Sequence, residues 1–274
     1  MMEPDWRSID VEGLETWYQV AGKEGGAPLI FIHGLGIDST FWRHQLAAFA
    51  PEYRVAALDL PGHGRSAKPH DRVYSMDFFA RAVHALVERE HLERPVLIGH
   101  SMGFPVLRRY LLLYPGWARA ICNVDGFYFR RAVQAEAYEV WSAATSLLRW
   151  RFSGRDPVEA GERFIEYTFY EHTPEAVREE VRATSRRADP YVVMSAWRDM
   201  IRPLKWVKCC FMLPAMVLYC RALHTLPDQE LYFRTCFPRM RYMEWTDTGH
   251  YPMLEQPDRF NAELRAFLYD EGIR

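Results

Sequence analysis

The 274-residue sequence has no surplus of either charge: 34 Lys and Arg stand against 36 Asp and Glu, for a formal net charge of −2. Without a basic excess there is no long-range field to gather phosphates, so neither nucleic acid nor an anionic membrane surface is expected as a partner. Long apolar runs are scarce as well. The most apolar stretch, CCFMLPAMVLYC at Cys209–Cys220, is too short to cross a bilayer and contains Pro214. The opening MMEPDWRSIDVEG carries acidic residues and lacks the apolar centre of a secretory signal. Cysteine is limited to Cys122, Cys209, Cys210, Cys220 and Cys236. An odd number at irregular spacing is no disulfide framework, and the absence of a CxxC pair removes the usual zinc signature. Reduced thiols that mostly fill core are expected, in a soluble, cytoplasmic protein.

What is present is the material of a globular enzyme. Residues of hydrophobic type make up 49% and charged ones 26%, with 9 Trp, 15 Tyr and 16 Phe to fill a core or line a pocket. Short, nearly continuous apolar runs recur: PLIFIHG (Pro28–Gly34), RVAALDLPG (Arg54–Gly62), PVLIGHS (Pro95–Ser101), ARAICNVDG (Ala118–Gly126), PAMVLYC (Pro214–Cys220) and RYMEWTDTGH (Arg241–His250). Such runs suit strands covered on both faces, as in a parallel sheet. The stretch SIDVEGLETWYQVAG alternates instead and has a central glycine, which predicts an antiparallel hairpin at the sheet edge.

Helical patterns separate the runs. Ser39 or Thr40 is expected to cap a helix through FWRHQLAAFA. Ser75 caps a second, which sets Phe78, Phe79, Ala82, Leu86 and Val87 near one face. The C-terminal FNAELRAFL places Phe260, Leu264, Phe267 and Leu268 on a stripe. Alternating strands and helices imply an α/β fold with right-handed crossovers. Residues 127–207 break the alternation with helical periodicity alone, including Thr173 as a cap before Pro174 at the first helical position. The expected organisation is a core of residues 1–126 and 208–274 with a helical lid at 127–207 inserted between core strands.

Functional groups of an open parallel sheet collect at the carboxyl ends of its strands. Here those ends carry His33–Gly36, Ser101, Asp125 and His250. GHSMG (Gly99–Gly103) is a G-x-S-x-G turn between a strand and a helix, a strained bend that thrusts the serine oxygen out of the sheet and allows no Cβ on its flanking glycines. The following helix turns its positive end toward that oxygen, with the Met102 backbone N–H as one oxyanion donor. HGLG (His33–Gly36) allows the Leu35 N–H to serve as a second donor. A serine hydroxyl needs a base, and His250 follows the last strand. His33 and His100 adjoin glycine turns and read as structural.

Taken in order, HGLG, DLPGHGRS (Asp59–Ser66), GHSMG and GHYPMLEQPDRF (Gly249–Phe260) resemble the motifs of the α/β-hydrolase superfamily, and they span nearly the whole chain apart from the lid. The resemblance implies an α/β-hydrolase fold, a mostly parallel central sheet flanked by helices. It also implies Ser101 as nucleophile, His250 as base, Leu35 and Met102 as oxyanion donors, and Asp59 and Arg65 as scaffolding.

The chain departs from that pattern at the acid. Where most of the superfamily carries G-x-x-D after the strand equivalent to PAMVLYC, this chain reads YCRALHTLPDQE, with Cys220 for the glycine and Leu223 for the acid. The superfamily's second solution places the acid directly after the strand that follows the nucleophile helix, and Asp125 stands there. Asp228 and Asp247 are the alternatives. Phe104, where many relatives have glycine, reads as packing on the nucleophile helix.

A serine, a base and an oxyanion hole support acyl transfer to water, and carboxylic ester cleavage of a small to medium apolar or aryl substrate is the first expectation. Lactone, amide or carbon–carbon hydrolysis, perhydrolysis and a non-catalytic ligand receptor are the alternatives. A serine in place of aspartate argues against the superfamily's dehalogenase and epoxide hydrolase branches. The partner is then a small-molecule ester. No cofactor signature is present; GKEGG (Gly22–Gly26) lacks the spacing of a phosphate loop. Candidate substrate contacts are Gly34, Phe127, Trp141 and Tyr251, with lid aromatics such as Trp150, Phe169 and Trp197 as further wall material.

Overall fold

In a computed structural model of the chain, residues 4–126, 165–166, 168–202, 209–220 and 229–274 are described. They build one eight-stranded sheet in the order β1-β2-β4-β3-β5-β6-β7-β8. The strands are β1 (Asp5–Asp10), β2 (Glu15–Gly22), β3 (Pro28–Ile32), β4 (Arg54–Leu58), β5 (Val96–His100), β6 (Ala120–Val124), β7 (Ala215–Cys220) and β8 (Met240–Trp245). β1 and β2 form the expected edge hairpin, and β2 meets β4 antiparallel; every later pairing is parallel. This is an α/β-hydrolase fold.

The apolar runs became central strands because both faces are covered. Ile30, Ile32, Ala56, Leu58 and Leu97 face one core, shared with α2 (Met76–Arg89) and α3 (Gly103–Leu113). Leu29, Phe31, Val55, Ala57 and Ile98 face the other, shared with α1 (Arg43–Phe49) and the C-terminal helix. A period of two with apolar residues at both phases is what two-sided burial demands.

Between β6 and β7 the described residues form α4 (Glu175–Arg187) and α5 (Pro190–Met200), and no strand. Trp197 and Met200 are buried where α5 packs on the core. Met76 N–H donates to Asp199 Oδ2 at 2.8 Å and Tyr74 N–H to Ser195 Oγ at 2.9 Å. Phe127, Trp141 and Trp150 lie outside the described residues, as does Asp228. After β7 come α6 (Gln229–Cys236), then β8, a short α7 (Pro252–Glu255) and α8 (Pro257–Asp270).

Two caps differ from the expectation. Asp38, not Ser39 or Thr40, does the capping, accepting from Thr40 N–H at 3.0 Å over a 3-10 turn at Ser39–Trp42 that precedes α1. Ser39 is instead drawn inward, its N–H on Asp59 Oδ1 at 2.8 Å. Pro174, in extended backbone, is the residue before α4, so Thr173 sits one position too early to cap it. Ser75 caps α2 as expected, accepting from Phe78 N–H at 3.1 Å.

Candidate active site

Strand order reverses at β3, with β4 on one side and β5 on the other, the kind of switch point beside which an open sheet gathers functional groups at its carboxyl ends. His33–Gly36 follow β3 and Ser101 follows β5. Ser101 has φ +52°, the left-handed region that an L-residue enters only when its surroundings impose it. Its N–H donates to Val124 O at 3.1 Å and its carbonyl accepts from Phe104 N–H at 3.1 Å, so the turn is pinned to β6 and to α3 at once. The tight geometry explains the glycines. A Cβ on Gly99 would lie 2.7 Å from the Gly103 carbonyl carbon, and one on Gly103 would lie 2.6 Å from Ile32 O. One on Gly34 would lie 2.9 Å from the Ser101 Cβ.

Asp125 directly follows β6 and also has positive φ, +45°. Its N–H donates to Leu218 O at 2.7 Å and its Oδ1 accepts from Cys220 N–H at 2.9 Å, so β7 holds both backbone and side chain. The other oxygen, Oδ2, lies 2.6 Å from His250 Nδ1. Both residues are buried. Burial pushes the Asp125 carboxyl well above its ordinary value, opposed by the Cys220 N–H. Burial pulls the His250 imidazole down to about 3. The imidazole is therefore neutral, and donation from Nδ1–H leaves Nε2 as a base. Asp247, the other described candidate acid, is exposed and bound to Arg259 Nη1 at 2.9 Å, which holds its carboxyl below the usual range.

The loop carrying His250 is fixed by groups that the sequence reading did not single out. Glu255 accepts from Gly249 N–H at 2.9 Å and from Tyr251 N–H at 3.0 Å, the two residues flanking the histidine. It also accepts from Thr173 Oγ1 at 3.0 Å, ahead of α4. Burial raises its carboxyl, with the two backbone N–H groups opposing. Glu255 lies in the quoted GHYPMLEQPDRF, at the end of the short α7 whose N-cap is Tyr251. His100 Nε2–H donates to His250 O at 2.8 Å. His33 accepts from Leu60 N–H at Nε2, 3.0 Å, and donates from Nδ1 to Gly34 O, 2.7 Å. Both histidines are thus backbone ties. Asp59 takes the Ser39 and Arg65 N–H groups on its two oxygens, each at 2.8 Å.

Of the remaining candidates, Leu35 is half-buried and Met102 fully buried at the start of α3. Tyr251 is buried, with its hydroxyl donating to Thr168 Oγ1 at 3.1 Å and its ring against His250, His100 and Phe41. Phe104 is buried against Phe233 and Phe237.

The sequence pattern described as the alpha/beta hydrolase family matches residues 29–263. The chain belongs to that family. Over 133 residues it is 45% identical to the dihydrolipoyllysine-residue acetyltransferase component of the acetoin cleaving system of Pseudomonas putida, spanning 48% of this chain and 35% of that protein. Over 108 residues it is 36% identical to epoxide hydrolase 4 of Mus musculus, spanning 39% and 30%. The match thus covers about a third of the length of these curated relatives. A solved esterase from Thermogutta terrifontis superposes with a TM-score of 0.80 at 24% identity, over 98% of this chain and 99% of that one, a likeness of fold. In this family member no described helix is long and apolar enough to cross a membrane.

Proposed function

We propose that the protein is a serine hydrolase that cleaves carboxylic esters of small to medium apolar or aryl substrates through an acyl-enzyme. The observation that carries this reading is the buried 2.6 Å contact of His250 Nδ1 with Asp125 Oδ2, at the same sheet end as a serine in left-handed backbone. Ser101 Oγ attacks the ester carbonyl while His250 Nε2 takes its proton; Asp125 holds the imidazole in the Nδ1–H tautomer and stabilises the imidazolium that forms. The Leu35 and Met102 N–H groups receive the oxyanion, each contributing about 3 kcal/mol in the transition state. His250 then protonates the leaving alcohol, and the same base activates water to release the acid.

Residues 127–207 are read as a lid over this site. In support, α5 packs on the core through Val192 and Trp197, and its Ser195 and Asp199 accept from the backbone just before and at the start of α2. The epoxide hydrolase name of one relative is not carried over, because Ser101 stands at the nucleophile turn. The five free thiols favour a cytoplasmic setting. Labelling with a fluorophosphonate tests the chemistry: the reading requires one adduct per chain, located on Ser101 by peptide mass and absent from Ser101→Ala. An unlabelled protein, or an adduct on another residue, overturns it.

A further inference from the structure

A cleft of about 290 Å³ opens beside Gly36, between the β1 edge and the end of α4. Three cations line it, Arg65, Lys68 and Arg187, and none has a carboxylate partner among the described residues. The Arg65 guanidinium lies 3.9 Å above the Trp6 ring, which orients it without neutralising it. Lys68 Nζ spends two of its protons on Gly64 O and Ser66 O, at 2.6 and 2.9 Å, and keeps one. Arg187 donates to Thr184 Oγ1 at 3.2 Å. Two carboxylates share the wall. Asp59 has both oxygens taken by backbone N–H groups, and Asp38 Oδ1 is taken by the Thr40 N–H and hydroxyl. Three cations against two anions leave a single positive charge, which suits a carboxylate better than a phosphate dianion.

His63 supplies the second requirement. It lines the cleft, is only 3% exposed, and donates from Nδ1 to Pro61 O at 3.2 Å. Its Nε2 is therefore an acceptor, and it has no hydrogen-bond partner. Burial holds the ring at about 3, so that nitrogen keeps its lone pair at neutral pH. A buried acceptor with no donor calls for a hydroxyl. The volume lies at the small end of ligand pockets.

We propose that this cleft binds a small hydroxycarboxylate, its carboxylate on Arg65, Lys68 and Arg187 and its hydroxyl donating to His63 Nε2. The occupant sits against Gly36, two residues along the loop from the Gly34 that abuts Ser101.

Isothermal titration calorimetry on Ser101→Ala tests the site with turnover removed, so its result stands whether or not the esterase reading does. The probes are lactate, propionate, methyl lactate and inorganic phosphate. Lactate is expected to bind saturably, with a Kd of about 1 mM or tighter. Propionate, which lacks the hydroxyl, is expected to bind about fivefold more weakly, and Arg187→Gln or Arg65→Gln to weaken lactate by a similar factor or more. Methyl lactate, without the charge, is expected not to bind. No saturable heat with lactate, equal lactate binding in both arginine variants, or tighter binding of phosphate than of lactate overturns the proposal. In the wild type, lactate that raises the KM for p-nitrophenyl butyrate supports the carboxylate as part of the substrate; saturable binding with KM unmoved supports a free ligand in the same cleft.

Discussion

His250 Nδ1 and Asp125 Oδ2 are 2.6 Å apart although 125 residues separate them in the chain. The contact is made where β6 ends in a left-handed residue and the loop after β8 folds back over it. Replacing Asp125 by Asn keeps the size but presents the wrong hydrogen-bonding group to Nδ1, favouring the tautomer that leaves Nε2 protonated. The expected loss in kcat is about 10⁴-fold with an unchanged circular dichroism spectrum. Asp247→Asn, at an exposed ion pair with Arg259, is expected to stay within about twofold of wild type. Steady-state hydrolysis of p-nitrophenyl butyrate reads both.

In the proposed mechanism the buried imidazole sets the acid limb of the rate. Burial holds His250 below its ordinary 6.5, and only the neutral ring can accept the serine proton. The plot of kcat/KM against pH should rise through an apparent pKa below 6.5 and be flat above it. A limb centred above 7 contradicts the assignment.

Folding stability has a matching pH dependence. His33, His63, His100 and His250 are all lowered by burial. Below pH 6.5 the unfolded chain takes up protons at these four positions that the folded chain refuses, so stability falls as pH drops. Asp125 and Glu255 are raised by burial and act in the opposite sense, which flattens the slope. Thermal melts should show Tm decreasing steadily from pH 7 to pH 5.

Glu255 tethers both neighbours of His250. Glu255→Ala removes the acceptor for two backbone N–H groups and the Thr173 hydroxyl, and is expected to cost about 2–3 kcal/mol of stability together with kcat. Glu255→Gln retains an acceptor oxygen and should recover part of both. Chemical denaturation and ester hydrolysis on the pair of variants separate the two effects.

Gly34 leaves no room for a side chain beside Ser101. Gly34→Ala places a Cβ 2.9 Å from the Ser101 Cβ and 3.0 Å from His100 Nδ1, in the loop that carries the Leu35 N–H. A displacement of that loop by a fraction of an ångström is expected to lower kcat about 10²-fold while the fluorophosphonate still labels Ser101.

Much of this was legible in the sequence because it is local. Apolar runs of five or six residues announced β3 to β7, and the glycines of GHSMG announced a turn in which Ser101 is now seen at positive φ. Asp125 was legible as the favoured acid through its place after the strand and the resemblance, ahead of Asp228 and Asp247; its contact with His250 is made by the bend after β8, which no local pattern specifies. The caps at Asp38 and before α4 were misplaced because neighbouring hydroxyls and carboxylates compete for the same N–H groups, and the tertiary fold chose: Ser39 was drawn to Asp59 and Thr173 to Glu255. Glu255 itself was unread for the same reason, since its partners come from the base loop and from the segment before α4.

The central claim is that Ser101 is the nucleophile. Hydrolysis of a chain-length series of p-nitrophenyl esters by wild type and Ser101→Ala tests it most directly. Clear wild-type turnover that Ser101→Ala lowers by about 10³-fold or more is the predicted result. Turnover that survives the substitution contradicts it.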